Sequence, residues 1–496
     1  MKKAFLFLLA GCVLLPSLFS QTKIVGTVKN LGSNSFFLVL PLKGNFYPMH
    51  FAEVAADDAG NFSFELDSRQ PGFATLDFAR GKRARIFVEA ATTDSLSVDL
   101  SQFDNTLQFF GPHATQNSFL QTFRQEASFG GRGNTDAEIA LKKEGDAAKS
   151  FAAVLRMMVA ASNRLTEAAA EKGFSSAFVE AVELDNYYYH LNLYSSLCLS
   201  ELRSIAGTGL SSSRENWGKY WTKLLNRKLL SNSNALVTKW YFNFIQTYIV
   251  DYRYWFLDEN EFENPDKEKG EQFHEYQRLI WKYFKGDVLE YAVASFFTYE
   301  AHQNQYQPIL VDVFQQFKDY FPRSDYLPLF EEAMSPIIRF WAKKKEEMPA
   351  DVHLVKDFEQ IDSLSNLFEK FKGKLIYLDV WATWCGPCKW EFSFKKDFDA
   401  FAEGKNIVPL YISVDKPGQE EKWKGMIKYQ HLKGYHLLAN DNLRDEIFWK
   451  FGQGGSLGVP HFAIIDQNGQ LVEPDAKRLS HNTELFRQLE KYLKTD

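Results

Sequence analysis

The sequence predicts a multidomain chain: an all-β domain first, an α-helical region in the middle, and an α/β domain at the C-terminus. Three features predict it. Short runs that alternate apolar and polar residues, separated by turn residues, fill 21–112. Long stretches nearly free of Gly and Pro fill 113–348. From 349 to 496, near-continuous apolar runs alternate with helical stretches, the pattern of a sheet with a parallel component. At 496 residues the chain also exceeds one core, since a domain takes about 100–200 residues.

In the first region the expected strands are Lys23–Lys29, Ser35–Leu40, Asn61–Leu66, Phe73–Phe78, Arg85–Glu89 and Ser95–Asp99. Asn30-Leu31-Gly32, Asp57–Asn61 and Gln70-Pro71-Gly72 supply turn chemistry between them. Regular strands with regular turns suggest a small antiparallel sandwich or barrel. In the middle region, Ala137–Lys172 (apart from Gly145) and Ser175–Ile205 show apolar residues at helical spacing. Breaks are expected near Gly130–Gly133, Gly207–Ser213 and Asn264-Pro265, and Tyr320–Ser324 ends one helix and starts another. The aromatic-rich Tyr187–Leu199 is expected to be a buried helix.

Residues 1–20 stand apart. Lys2 and Lys3 give a positive start, Phe5–Leu15 is apolar, and Pro16, Ser17 and Ser20 follow, the anatomy of a secretory signal peptide cleaved after Ser20. The run is too short to span a bilayer, which takes about 20 residues. A rival reading takes Leu9-Ala10-Gly11-Cys12 as a lipoprotein box with Cys12 lipidated, but Val13-Leu14-Leu15 continues the apolar run past it. The expected location is the periplasm of a Gram-negative bacterium, or the cell envelope as a lipoprotein. Membrane association is expected only if Cys12 is lipidated. Either way the compartment lets disulfides persist.

Composition narrows the function. Apolar residues make up 45% and charged residues 24%, as in a globular chain. The net charge is −6, and the absence of a Lys/Arg block argues against nucleic acid as a partner. Beyond Cys12 only Cys198, Cys385 and Cys388 remain, one spaced pair and one odd thiol, which is no structural disulfide framework. Zinc needs about four ligands, and with no second Cys pair no metal is expected.

The chemistry centres on that pair. Leu375–Trp381 reads as a strand, it runs into Cys385-Gly386-Pro387-Cys388, and Lys389–Ala402 looks helical. Cys385 therefore falls at a helix N-terminus, where unpaired N–H groups favour a thiolate. A fall in its pKa from about 8.5 to about 7 corresponds to roughly 2 kcal/mol of anion stabilisation. Cys385 is the expected nucleophile, attacking a substrate disulfide. Cys388 then displaces the substrate and closes the Cys385–Cys388 bond, so no bound cofactor is expected beyond that redox-active disulfide. Trp384 is expected to shield the pair and shape the partner surface, Trp381 to be core, and Cys198 to be a buried, inert thiol.

The string Trp381-Ala382-Thr383-Trp384-Cys385-Gly386-Pro387-Cys388-Lys389 resembles the thioredoxin superfamily and, more narrowly, its TlpA/ResA group of exported thiol reductases. A second match is Gly458-Val459-Pro460 before the strand Phe462–Asp466. The resemblance implies a thioredoxin-like domain over 349–496, a cis-proline at Pro460 packed against the cysteines, and a Val459 backbone that bonds a bound peptide. It also implies that Asp379 is a buried proton acceptor for Cys388, and that Glu391 handles protons and influences substrate choice. Substrate contacts are expected at Trp384, Gly386, Pro387, Val459 and Pro460, with His461 a lesser candidate. The proline that often follows Glu391-Phe392 is Ser393 here, so the helix is expected to lack the usual kink. The region ahead of the domain resembles the N-terminal extension of many exported TlpA-like proteins, read here as a packed scaffold.

The expected function is an exported thiol–disulfide oxidoreductase that reduces disulfides of periplasmic proteins, apocytochromes c among them, recharged by a membrane thiol electron donor. Two alternatives stay open: an oxidase or isomerase of the same fold, or a ligand-binding protein with an accessory redox domain.

Overall fold

The computed structural model describes residues 22–493, except 33–34, 67–69, 79–80, 124–135, 207–210, 226–229, 262–264, 267–269, 304–305, 417 and 453–456. The leader, Cys12, Ser20 and the breaks expected at Gly130–Gly133 and Asn264 lie outside the described residues. The chain divides into two compact units: residues up to Tyr299 with Gln316–Phe330, and Glu300–Gln315 with Glu331–Asp496. This differs from the three-way division 21–112, 113–348 and 349–496. The β region shares a unit with most of the helices, and residues 300–315 and 331–348 go with the C-terminal domain.

Among the described residues of the first unit, eight strands form two four-stranded sheets: β1 (Thr22–Lys29), β2 (Ser35–Leu42), β3 (Asn45–Ala55), β4 (Asn61–Leu66), β5 (Gly72–Asp77), β6 (Arg83–Val88), β7 (Thr93–Asp99) and β8 (Gln108–Phe110). Their orders are β4-β1-β7-β8 and β3-β2-β5-β6. Ile24, Val28, Leu96 and Val98 from one sheet and Phe36, Leu38, Leu76 and Ile86 from the other make one core, so the region is a sandwich. It is not purely antiparallel, because β1 and β7 run parallel. β3 was not expected. Pro48 within it argues against a central strand, but β3 is an edge strand, where a missing N–H costs no ladder bond.

The outer face of β5 and β6 is not solvated. Phe73 and Phe87 pack with Phe119, Leu120, Leu165 and Phe178 from the helices that follow. Arg85 on β6 reaches buried Asp185 through two hydrogen bonds of 2.6 and 2.7 Å. Burial on both faces is why sandwich and helices form one unit.

Within the helical part, Asp146 accepts hydrogen bonds from Ala148 and Lys149 and caps Ala147–Lys172, with Gly145 in the left-handed region just before it. The helix Ser176–Ser204 buries Tyr188, Tyr189, Tyr194 and Cys198. Ser211 opens the helix Ser211–Leu224 where a break was expected through Ser213. A π-helical turn spans Thr247–Phe256, a departure from the α-helical period that apolar spacing does not reveal. No helix among the described residues is long and apolar enough to cross a membrane.

Among its described residues the second unit carries six strands: β9 (Val352–Leu354), β10 (Leu375–Trp381), β11 (Ile407–Ser413), β12 (Gly434–Leu438), β13 (His461–Ile465) and β14 (Leu471–Glu473). Their order is β14-β13-β10-β11-β12-β9. β10, β11, β12 and β9 are parallel; β13 pairs antiparallel with β10, and β14 pairs antiparallel with β13. All seven residues of β10 are buried, as a central strand covered on both faces requires. The helix Glu420–Gln430 approaches Leu327–Lys344 so closely that a Cβ on Gly425 would lie 3.1 Å from the Phe340 ring, which accounts for glycine inside a helix. The stretch from 331 to 348 is thereby tied to the sheet's covering layer.

Candidate active site

Central strand β10 delivers its C-terminal end to the helix Gly386–Glu391, with Cys385 as N-cap and Pro387 in the first turn. The connecting loop is pinned from below. Thr383 donates its N–H and its hydroxyl to the buried Asp415 carboxylate, at 2.9 and 2.8 Å, and Ser413 donates a third bond at 2.6 Å. The residue before Trp384-Cys385 is thus fixed to the end of β11.

Cys385 and Cys388 are joined in a disulfide. The two sulfurs differ in surroundings. Cys388 is fully buried, and Cys385 is 3% exposed. The Cys385 sulfur accepts the backbone N–H of Cys388 at 3.1 Å, occupying the position an N-cap oxygen takes in an ordinary helix. A sulfur anion there gains a donor that a thiol would use poorly. On its other side, the same sulfur lies 3.5 Å from the Val459 carbonyl oxygen. Val459-Pro460 is a cis peptide bond, and it leads directly into β13. The structure therefore brings Val459 and Pro460, distant in sequence, to the cysteine pair. Trp384 is 63% exposed at the rim.

Asp379 sits on β10, 1% exposed, and neither carboxylate oxygen has a hydrogen-bond partner. Burial, and next the negative charge of Glu391, hold its proton affinity well above the usual carboxylate range. Glu391 is also 1% exposed. Its two oxygens accept the Ser480 N–H at 2.9 Å and the Ser480 hydroxyl at 3.0 Å, and Arg478 stands 3.9 Å away. Trp381 is buried against Phe392, as core.

Two expectations change. His461 commits Nε2 to the Pro474 carbonyl at 2.7 Å and packs its ring on Phe451, so its partners lie within the fold. The helix after the cysteines is not continuous: a 3₁₀ turn at Phe392–Phe394 separates Gly386–Glu391 from Lys395–Ala402. The Ser393 hydroxyl bonds the Trp390 carbonyl at 2.7 Å. A serine bonding back to the preceding turn distorts a helix without proline. Cys198 is buried, and burial pushes its thiol well up, so it stays protonated and unreactive.

Sequence reasoning missed Asp415, Ser480 and Lys389. The Lys389 amine is buried without a hydrogen-bond partner, 5.0 Å from the Tyr306 ring centre, and burial pushes its pKa down to about 8. A lysine after a C-x-x-C gives no signal of this, because the ring beside the amine comes from 83 positions upstream (389 minus 306).

A cysteine pair at the mouth of a helix, met across the sheet end by a cis-proline loop, defines an oxidoreductase domain of the thioredoxin type. The family model described as Redoxin matches residues 343–489. Thiol-disulfide oxidoreductase ResA of Oceanobacillus iheyensis is 32% identical over 129 residues, 25% of this chain and 60% of that protein. Thioredoxin of Coprinus comatus is 32% identical over 88 residues, 16% of this chain and 76% of that protein. Among solved structures, the thioredoxin domain of a thiol-disulfide oxidoreductase from Bacteroides vulgatus is 24% identical, covering 25% of this chain and 84% of that one, with a TM-score of 0.21. The chain belongs to the thioredoxin superfamily, and its C-terminal part is similar to ResA thiol-disulfide oxidoreductases.

Proposed function

We propose that the protein is an exported thiol–disulfide reductase that opens disulfides in periplasmic proteins, apocytochromes c among them, and that a membrane thiol donor returns it to the dithiol state. The observation that carries this reading is the pair of unequal sulfurs: Cys385 at the helix mouth accepting an N–H, and Cys388 beneath it without exposure.

The chemistry follows from that inequality. The Cys385 thiolate attacks one sulfur of a substrate disulfide, forming a mixed disulfide and releasing the other sulfur as a thiolate. Cys388 then loses its proton to Asp379, and its sulfur bonds to Cys385. The substrate's remaining sulfur departs as a thiolate and takes a proton from water. The substrate disulfide gains two electrons, and the Cys385–Cys388 pair loses two. In recharging, a donor thiolate attacks Cys385, and a protonated Asp379 returns its proton to the departing Cys388 sulfur. A buried carboxyl with raised proton affinity serves both directions. The leader-like residues 2–20 support export.

The Gly386-Pro387 dipeptide, shared with thioredoxin and lacking the histidine common in oxidases, favours reduction. Equilibration with thiol buffers tests the direction. The expected reduction potential is about −270 mV, as in thioredoxin; a value near −120 mV, about that of DsbA, would overturn the reductase reading in favour of an oxidase.

A further inference from the structure

We propose that Ser480 is a positioning residue of the redox site: its hydroxyl and backbone N–H hold the Glu391 carboxylate in place, and through it they control the proton on Asp379. This rests on the reading of Asp379 as the proton partner of Cys388.

The geometry points to it in three steps. Glu391 is buried, and Ser480 supplies hydrogen bonds to both of its oxygens, 2.9 Å from the N–H and 3.0 Å from the hydroxyl. Arg478, at 3.9 Å, is beyond direct hydrogen-bond range. Bonds to a buried carboxylate are the strong kind, and losing one leaves an unmet acceptor at low dielectric. Second, Ser480 is itself fixed. It lies in the turn Leu479–His481; Leu479 is in the core with Leu485 and Leu489, and Asn482 bonds Asp397 at 3.0 Å. The donor pair therefore has a set direction. Third, Asp379 has no hydrogen-bond partner to compete with a charge effect. The groups that act on it electrostatically are Glu391 from the helix, Tyr377 on the same strand and Tyr411 on β11. Both phenols are buried and stay neutral across the working range. Glu391 is then the one charge among them that tunes Asp379, and Ser480 is what holds it.

In the step concerned, the Cys388 sulfur gives its proton to the Asp379 carboxylate and bonds to Cys385, while the sulfur held by Cys385 leaves as a thiolate. Dithionitrobenzoate isolates this step in the reduced full-length protein. Cys385 releases one thionitrobenzoate on attack, and Cys388 releases the second on resolution. Stopped-flow absorbance gives the second rate from about pH 5 to about pH 9, where a base must be ionised for the rate to rise.

Removing the Glu391 charge makes Asp379 easier to ionise, so Glu391→Gln moves the rising limb to lower pH by about one unit. Ser480→Ala moves it the same way by a smaller amount, and Ser480→Thr, which keeps the hydroxyl, restores the parent limb. Asp379→Asn removes the limb and slows the second release by about 100-fold near neutral pH. Adding Ser480→Ala to Asp379→Asn produces no further displacement. A Ser480→Ala limb equal to the parent's, or a rate lowered equally at every pH, overturns the role of Ser480. An Asp379→Asn profile equal to the parent's instead overturns the reading of Asp379, and the inference with it.

Discussion

Cys385→Ala abolishes disulfide reduction, a loss of about 10⁴-fold, whereas Cys388→Ala stops the reaction halfway and leaves substrates covalently held on Cys385. The two outcomes differ because the two sulfurs do. Cys385 carries the stabilising N–H contact and adjoins the Val459-Pro460 loop. Cys388 has no exposed surface, so it meets only a sulfur already delivered to Cys385. In cells, Cys388→Ala should therefore accumulate adducts that thiol reductants release, and their exported partners identify the substrates by mass spectrometry. Adducts formed equally well by Cys385→Ala would reverse the two roles. Full cellular function in Cys385→Ala would favour the ligand-binding alternative.

The second large effect is on stability. Asp379 is buried with no hydrogen bond, and its proton affinity is raised by burial first and by Glu391 second. With the folded pKa above the unfolded value of about 3.9, the folded state binds more protons across the interval between them. Stability is therefore lost as pH rises through that window and stays low above it. Asp379→Asn removes the ionisation. In the disulfide form, where neither cysteine titrates, the variant should match the parent near pH 4. By about pH 9 it should exceed the parent by on the order of 2–3 kcal/mol, less than the full cost of burying an unpaired carboxylate because Asn also lacks partners. Urea unfolding at the two pH values measures this; a constant difference would place the ionisation elsewhere. If Asp379 takes the proton of Cys388 as proposed, the same substitution also slows resolution.

Much of the site was legible because its chemistry sits in short strings. Trp384–Lys389 lies where an apolar strand becomes a helix, and Val459-Pro460 stands directly before another apolar strand. Such local order survives in a sequence. The parts that were not legible are pairings across distance. Ser480 meets Glu391 over 89 positions and Asp415 meets Thr383 over 32, and nothing in a lone Ser or Asp marks it as a clamp. Local rules also misled in places. β3 was not expected, and it holds Pro48, which an edge strand tolerates because the missing N–H costs no ladder bond. Ser393 in place of proline suggested an unbroken helix, yet its hydroxyl bonds back to Trp390 and the 3₁₀ turn forms. The boundary expected at 349 fell too late, since the helix packing at Gly425 and Phe340 depends on side-chain fit that composition does not show.

The sulfur of Cys385 as an N-cap anion is the claim on which the chemistry depends, and its reactivity measures that claim most directly. The rate of iodoacetamide alkylation of Cys385, followed by mass spectrometry against pH in the reduced full-length protein, should titrate with an apparent pKa of about 7; Cys198, buried and protonated, should stay unmodified. A midpoint near 8.5, the value of a free cysteine, would show that the N–H of Cys388 confers no anion stabilisation and would contradict the account.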